Sequence, residues 1–338
     1  MRGNHMKKHL WIPAVGALLG GLALLFGKTG VDQNGFTLEQ YRNADAKFLG
    51  DHIVTSVDEG IQILDLHGRV VKSFPELSAS WMYVQEDVWA KENAVVYSNH
   101  ANETHILCLS EEHEFRKDYV ALRTETLAID PILIRAGNEW LLTHTLIDGT
   151  INNPDPEGDN GVYTVKLYRS GNLKEWEYVT DIISQKQNTE DGDLRYVEET
   201  GMLYYFCEME EYDKGPSVIC VMTSEDGGET WSEPVALTDV AADNEMASCE
   251  WTGDGWRLYM SSDMASVGES YQGASVYYRD YSADFTSAGI YCQSSMPDNE
   301  SVRLYEVKEI NGQLHFLFAR NYLTDCDLLL RTIEKEEH

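Results

Sequence analysis

Three acidic side chains occupy corresponding positions in consecutive segments of the chain. Asp130, Asp193 and Glu245 each precede a stretch that ends at a turn glycine, and the offsets from acid to glycine are 7, 8 and 10 residues. Hydrolysis of a glycosidic bond requires converging carboxylates, because one stays protonated to donate to the leaving oxygen while another is ionised to activate water or attack carbon. A third negative group nearby raises the pKa of the donor. These three acids are therefore the predicted catalytic residues.

A repeated set of strands must position these acids. A polar lead-in, a short strand, a turn and an aromatic-rich strand recur roughly every 40 to 65 residues, which is the spacing of four-stranded propeller blades. Outside the N-terminus no segment has a long apolar period of 3.6 residues, so the sequence predicts an all-β fold. We count six units, at 48–75, 90–121, 126–182, 190–238, 245–291 and 300–335.

The prediction is a six-bladed β-propeller in one domain over residues 31–338. The first two units are short and weakly marked, so five blades is the alternative. In a propeller the innermost strand of each blade lines the central channel. Residues at the starts of these strands are therefore expected to converge at one mouth of the channel.

The stretch from Ser224 to Trp231 reads Ser-Glu-Asp-Gly-Gly-Glu-Thr-Trp. The side chains of Ser224 and Asp226 can hydrogen-bond turn backbone, and the two glycines supply conformations with φ > 0. Thr230 and Trp231 are expected to begin the next strand. We predict a rigid hairpin turn.

This stretch resembles the Asp box, Ser-x-Asp-x-Gly-x-Thr-Trp, of sialidases and related β-propellers, and every fixed position is filled. In that family the box lies on the outer rim of the blades, so the resemblance implies a propeller hairpin and not a catalytic role. The segment 170–176 is a shorter echo of the box. Residues 275–282 hold the same place in the next unit, with the turn chemistry eroded.

Residues 126–265 also resemble the arabinanase/xylosidase-type propeller hydrolases, whose base Asp, pKa-tuning Asp and acid Glu come from successive blades. The resemblance rests on Ile-Asp-Pro at 129–131 and on Ser-x-x-Leu-x-x-Trp at 170–176. It implies that Asp130 is the base, Asp193 the tuning residue and Glu245 the acid.

The sequence departs from that family around the acid. The Glu-Gly-Pro lead-in of the family is absent at Glu245, so Glu250 and Asp243 are alternatives for the acid. A further alternative is that all these acids are turn residues at strand starts in a very acidic protein.

Sialidases provide a second interpretation, since six blades and the Asp box resemble that family too. Its members bind the substrate carboxylate with three arginines and use a Tyr–Glu nucleophile pair with an Asp acid. Arg135, Arg195 and Arg303 lie near unit starts, with Tyr305 close by. The family's Arg-Ile-Pro motif is missing, and the acids repeat more regularly than the arginines. Hydrolysis of a neutral glycan is therefore preferred to release of sialic acid.

A third interpretation is a glycan-binding propeller without turnover. Several aromatic side chains can stack on sugar faces or, alternatively, pack between blades; they are Trp81, Tyr83, Trp89, Trp251 and Tyr322. The residues predicted to bind carbohydrate substrate are Arg195, Trp251, Arg303 and Tyr305.

The composition excludes some partners. The formal net charge of −31 makes nucleic acid a poor partner, because phosphate backbones are bound by Lys and Arg. The same charge disfavours an anionic substrate. The six cysteines form no Cys-x-x-Cys pair, and the acidic insertion 152–160 lacks EF-hand spacing. The sequence thus predicts neither a metal site nor a cofactor.

The N-terminus predicts export. Met6 to His9 is a short basic region, Leu10 to Phe26 is an apolar run, and Lys28 ends it. This pattern is typical of a signal peptide or a membrane anchor, here over residues 1–30. We expect a protein outside the cytoplasm, either secreted or attached to the membrane through residues 10–26.

Overall fold

The computed structural model describes residues 35–57, 60–89, 91–153, 155, 157–212, 215–264, 273–294, 302–320 and 326–334. The predicted signal or anchor segment lies outside these residues, as do Tyr271, in a second insertion of the sequence, and Tyr322. Within these ranges the chain forms 23 strands and no helix. In particular, none of the described residues belongs to a helix that could cross a membrane.

The described strands form six antiparallel blades, which confirms the predicted propeller and excludes the five-bladed alternative. Blade 1 contains β1 (Gly35–Leu49), β2 (His52–Val57), β3 (Gly60–Asp65) and β4 (Val70–Phe74). Blade 2 contains β5 (Trp81–Trp89), β6 (Glu92–Asn99), β7 (Glu103–Ser110) and β8 (Phe115–Arg123). Blade 3 contains β9 (Leu127–Ala136), β10 (Glu139–Asp148), β11 (Val162–Ser170) and β12 (Glu177–Gln185).

The second half of the ring repeats this order. Blade 4 contains β13 (Asn188–Val197), β14 (Met202–Glu210), β15 (Ser217–Ser224) and β16 (Val235–Ala236). Blade 5 contains β17 (Asn244–Trp251), β18 (Gly255–Ser262), β19 (Ser275–Ser282) and β20 (Cys292–Gln293). Blade 6 contains β21 (Arg303–Ile310), β22 (Gln313–Arg320) and β23 (Asp327–Glu334).

The long strand β1 closes the ring. Its first part, Gly35–Arg42, pairs with β23 and supplies the outermost strand of blade 6. Its second part, Asn43–Leu49, pairs with β2 and is the innermost strand of blade 1. The two ends of the ring are thereby hydrogen-bonded to each other, which leaves no open sheet edge at the junction. Sequence analysis missed the first part, because it started the first unit at residue 48.

The hydrophobic core is divided among the gaps between neighbouring blades. Between blades 3 and 4, for example, Ile132 and Val165 pack with Leu194 and Tyr205. Corresponding clusters fill the other five gaps in the described ring. Each sheet is therefore covered on both faces, and burial of these faces holds the innermost strands around the axis.

The turn between the third and fourth strands recurs from blade to blade. In blade 4 the Ser224 hydroxyl donates to Asp226 at 2.8 Å and accepts the Gly228 N–H at 2.9 Å, while Asp226 accepts both the N–H and the hydroxyl of Thr230. The hydrogen bonds from Thr230 and Ser224 lower the pKa of Asp226 to about 2. The turn is thus held by its own side chains, as a rigid hairpin turn would be.

Two details of this turn differ from the sequence prediction. Thr230 and Trp231 do not begin a strand, since β16 starts at Val235. The turn chemistry of blade 5 is not eroded, because Ser282 donates to Asp284 at 2.8 Å and Asp284 accepts from Thr286. The repeat is hard to recognise in the sequence because Asp284 is followed by Phe285, with φ 57°, where Asp226 is followed by Gly227, with φ 75°.

Gly228 occupies the tightest point of the blade 4 turn. Its φ is +94°, and a Cβ there would lie 2.4 Å from the Leu167 side chain of blade 3. Leu167 is fully buried and cannot move aside. Gly228→Ala should therefore lower the free energy of unfolding by about 1–3 kcal/mol, measured by urea denaturation.

Gly171 provides the matched control, because it lies in the equivalent turn of blade 3 and an added methyl group there would meet no atom within 4 Å. Gly171→Ala should change the free energy of unfolding by less than about 0.5 kcal/mol. Equal losses in the two variants would contradict the packing argument.

Candidate functional site

The innermost strands of the described blades all begin at the same end of the propeller, because each blade repeats one strand order. Each of these six strands also contains one shift in its pairing register with the second strand of the same blade. An irregularity of this kind is a β-bulge, which re-aims side chains out of the regular alternation. The bulges of β9 and β13 carry the acids at the centre of the site.

Asp130 and Asp191 occupy these two bulges, with φ of 47° and 48°. Asp is among the few residues that adopt such a backbone conformation at modest cost. The Asp191 N–H donates to Asp130 Oδ2 at 3.0 Å. From blade 6, Arg303 Nη2 donates to Asp191 Oδ1 at 2.6 Å, and the two side chains are 20% and 16% exposed. The site therefore joins blades 3, 4 and 6.

Gly192 explains how the β13 bulge fits. A Cβ at this residue would lie 2.3 Å from the Tyr205 hydroxyl and 3.3 Å from Ile132 Cδ1. The absence of a side chain lets the bulge approach the core between blades 3 and 4, and so brings Asp191 next to Asp130.

Two more acids belong to this group, Glu245 from blade 5 and Glu208 from blade 4. Asp191, Glu208 and Glu245 each place one carboxylate oxygen within 4.8 Å of the others, and we call them the outer trio. Glu208 and Glu245 are only 5% and 7% exposed. Glu245 stands near the start of β17, as predicted, whereas Glu208 comes from β14, the second strand of blade 4.

Burial and mutual repulsion perturb the pKa values of these acids. Burial, followed by the negative charges of Asp243 and Asp191, raises the pKa of Glu245 well above its usual value. Burial and the Asp191 charge raise the pKa of Asp130 to about 7, an effect that Arg303 opposes. These shifts favour the protonated form of Glu245, while a pKa of about 7 lets Asp130 take up or release a proton at neutral pH.

Asp193, predicted to act with Asp130 and Glu245, lies apart from this group. Its Oδ2 accepts hydrogen bonds from Arg195 Nε at 2.9 Å and from the Cys249 N–H at 3.3 Å. Cys249 lies further along β17 than Glu245, so Asp193 sits deeper in the channel. The negative charge between Asp130 and Glu245 belongs instead to Asp191.

The arginines and aromatic residues predicted to bind substrate are dispersed. Arg195 pairs with Asp193, and Arg303 pairs with Asp191. Tyr305 is 3% exposed in the core between blades 6 and 1.

The remaining candidates lie elsewhere. Arg135 and Glu250 are exposed near the far ends of their strands, away from the starts of β9 and β17. Trp251 packs against Trp256, with ring centroids 5.1 Å apart. Tyr83 packs against two core clusters, the one between blades 2 and 3 and the one between blades 3 and 4. The three arginines of the sialidase interpretation are therefore not brought together.

Sequence analysis missed Asp191 and Glu208. Asp191 was passed over in favour of Asp193, two residues on, because spacing alone does not reveal the bulge. Glu208 had a usable signal, since Glu208 and Glu210 are the two charged residues in the otherwise apolar strand Met202–Glu210. Charged residues in a buried strand are rare without a partner or a function.

Comparisons with known proteins support the fold. Neither a protein-family model nor a curated protein matches the sequence. The α-L-arabinofuranosidase of Fusarium graminearum, solved with an iminosugar inhibitor, aligns with a TM-score of 0.58 at 9% identity, over 89% of this chain and 97% of that chain. The α-L-arabinanase of Penicillium chrysogenum, solved with arabinobiose, gives 0.52 at 12% identity, over 75% and 93%.

A third solved structure, an ulvan lyase from a family of polysaccharide lyases, gives a TM-score of 0.47 at 14% identity. The alignment covers 69% of this chain and spans only 62% of the lyase.

The raised pKa of Asp130 predicts an unusual dependence of stability on pH. The folded state holds this proton more tightly than the unfolded state, whose Asp pKa is about 4. The contribution of Asp130 is thus fully present below pH 4 and is lost as the pH rises to about 7. Between pH 4 and pH 7 the free energy of unfolding of the wild type should therefore fall as the pH rises. Asp130→Asn should make this fall less steep, by up to roughly 1.4 kcal/mol per pH unit.

Urea denaturation at several pH values measures this difference. Glu250→Gln is the control, because Glu250 is exposed on the far part of β17 and should leave the wild-type profile unchanged. Parallel profiles for wild type and Asp130→Asn would refute the assignment.

Proposed function

We propose that this protein is a glycoside hydrolase with Glu245 as general acid and Asp130 as the carboxylate that activates water or attacks carbon. The observation that carries the proposal is the position of Asp191, which hydrogen-bonds Asp130 and lies within 4.8 Å of Glu245. Asp191 takes the tuning role that sequence analysis gave to Asp193.

The chemistry follows from the different protonation of the two end groups. Glu245 donates a proton to the leaving glycosidic oxygen, since burial and then the charges of Asp243 and Asp191 disfavour its ionised form. Asp130 accepts a proton from water, or attacks directly, with its orientation fixed by the Asp191 N–H. Arg303 keeps the centre from carrying uncompensated negative charge, because it pairs with Asp191.

The substrate is best matched by a neutral glycan. The acids at the mouth and the net charge of −31 disfavour an anionic sugar. Two solved structures that align with TM-scores above 0.5 are an arabinofuranosidase and an arabinanase, which makes arabinose-containing polysaccharides the first substrates to test. The proposal includes a location outside the cytoplasm, which the apolar run Leu10–Phe26 supports.

Glu245→Gln should reduce kcat by about 10²–10⁴-fold on a glycan that the wild type cleaves, because the amide cannot donate the proton. The measurement is the release of reducing ends from arabinan and from other neutral polysaccharides. Glu250→Gln, on the same strand but exposed, should retain wild-type activity.

The same substrate panel separates the other interpretations. Release of sialic acid from sialylated glycans, with no action on neutral ones, would replace this proposal with a sialidase. Binding without products would identify a glycan-binding propeller. Arg303→Ala does not distinguish these cases, because its loss also frees the Asp191 carboxylate.

A further inference from the structure

A second group of three buried acids overlaps the outer trio, in the seam between blades 4 and 5. Glu208 and Glu210 belong to β14, and Asp243 immediately precedes β17. We call them the inner trio; each offers a carboxylate oxygen within 4.8 Å of the other two. Their exposures are 5%, 8% and 5%. Glu208 is shared with the outer trio. Glu210 and Asp243 carry out no step of the proposed hydrolysis, although the charge of Asp243 adds to the repulsion that raises the pKa of Glu245.

Such a group is electrostatically unfavourable as it stands. Burying ionised carboxylates is costly unless they are paired, and like charges at this separation repel strongly in a protein interior. Glu208 also has a carboxylate oxygen within 4.8 Å of those of Asp191 and Glu245, which adds two further acids to the group. Neutralisation requires either protons or a cation.

Two buried oxygens favour a cation. Glu208 Oε2 is buried without a hydrogen-bond partner. Asn188 is 1% exposed; its Nδ2 donates to Glu210 Oε1 at 3.1 Å, while its Oδ1 has no partner. An amide oxygen beside carboxylates is a ligand set that suits a hard cation.

We propose that the inner trio and Asn188 bind Ca²⁺. Two Ca–O bonds of about 2.3–2.6 Å span about 5 Å, which matches oxygens that lie within 4.8 Å of one another. Ca²⁺ also tolerates irregular geometry and a ligand sphere completed by water, which suits ligands that come from two blades.

The ion ties blade 4 to blade 5 next to the proposed catalytic acids. It replaces repulsion across this seam with bonds from β14 and from the residue before β17. Asp191 remains the negative charge beside Glu245. Sequence analysis predicted no metal site, because the ligands come from distant strands and form no linear motif.

The test uses the whole chain after treatment with a chelator. Ca²⁺ binding is measured by calorimetry, and stability by thermal unfolding with and without CaCl₂. At free Ca²⁺ about 100 times its dissociation constant, the folding equilibrium constant of the wild type should rise about 100-fold. Glu210→Gln should weaken Ca²⁺ binding at least about tenfold. Glu250→Gln, an exposed control, should bind like the wild type.

The wild type and Glu210→Gln should differ in opposite directions in chelator and in saturating Ca²⁺. In chelator, Glu210→Gln should unfold at a higher temperature than the wild type, because it removes one repelling charge. In saturating Ca²⁺ the wild type should be the more stable. Asp243→Asn serves the same purpose if Glu210→Gln does not fold.

Several results would overturn the proposal. A wild type that gains no stability from Ca²⁺, or a Glu210→Gln variant that responds as strongly as the wild type, excludes the site. Stabilisation by Mg²⁺ and not Ca²⁺ refutes the choice of ion. Neither binding nor unfolding requires turnover, so these results stand whether or not the protein cleaves a glycan.

Discussion

Crowding of charged side chains around one axis is the constraint on which this structure depends. Six innermost strands meet there in the described ring, and several of their polar side chains have partners on other blades. Arg303 of blade 6 reaches Asp191 of blade 4, and Lys308 of blade 6 pairs with Glu86 of blade 2. Glu306 accepts the N–H of Phe48 from blade 1 at 2.6 Å. The axis is thus cross-linked by contacts that no single blade could make.

These contacts do not account for the stability of the fold, which comes from the apolar seams between blades. Trp256 of blade 5, for example, packs against Tyr204 and Phe206 of blade 4 with centroids 4.7 and 5.2 Å apart. Seams of this kind hold the strand starts in place even where the side chains at the mouth repel one another. Buried acids that destabilise a fold persist only when the surrounding structure fixes them, and such sites are commonly functional.

Much of the fold was predictable because it follows from local patterns. Strand alternation, turn residues and their recurrence gave six units whose centres coincide with the six described blades. The closure by Gly35–Arg42 was not predictable, since it pairs residues almost 300 positions apart and the strand carries no blade pattern of its own. The turn at Ser282 was misjudged because tertiary packing allows Phe285 to take a backbone conformation that the sequence pattern assigns to glycine.

The candidate site could be predicted from the sequence less completely than the fold. Sequence spacing placed Asp130 and Glu245 at the mouth, because both lie near the start of an innermost strand. It could not choose between Asp191 and Asp193, since residues two apart share a strand face and differ only in depth, by about 6–7 Å. The bulge decides this depth, and it exists because Gly192 lets the strand press against Tyr205. Which carboxylate lies beside Asp130 is therefore fixed by a packing contact at Gly192 and not by the order of acids along the chain.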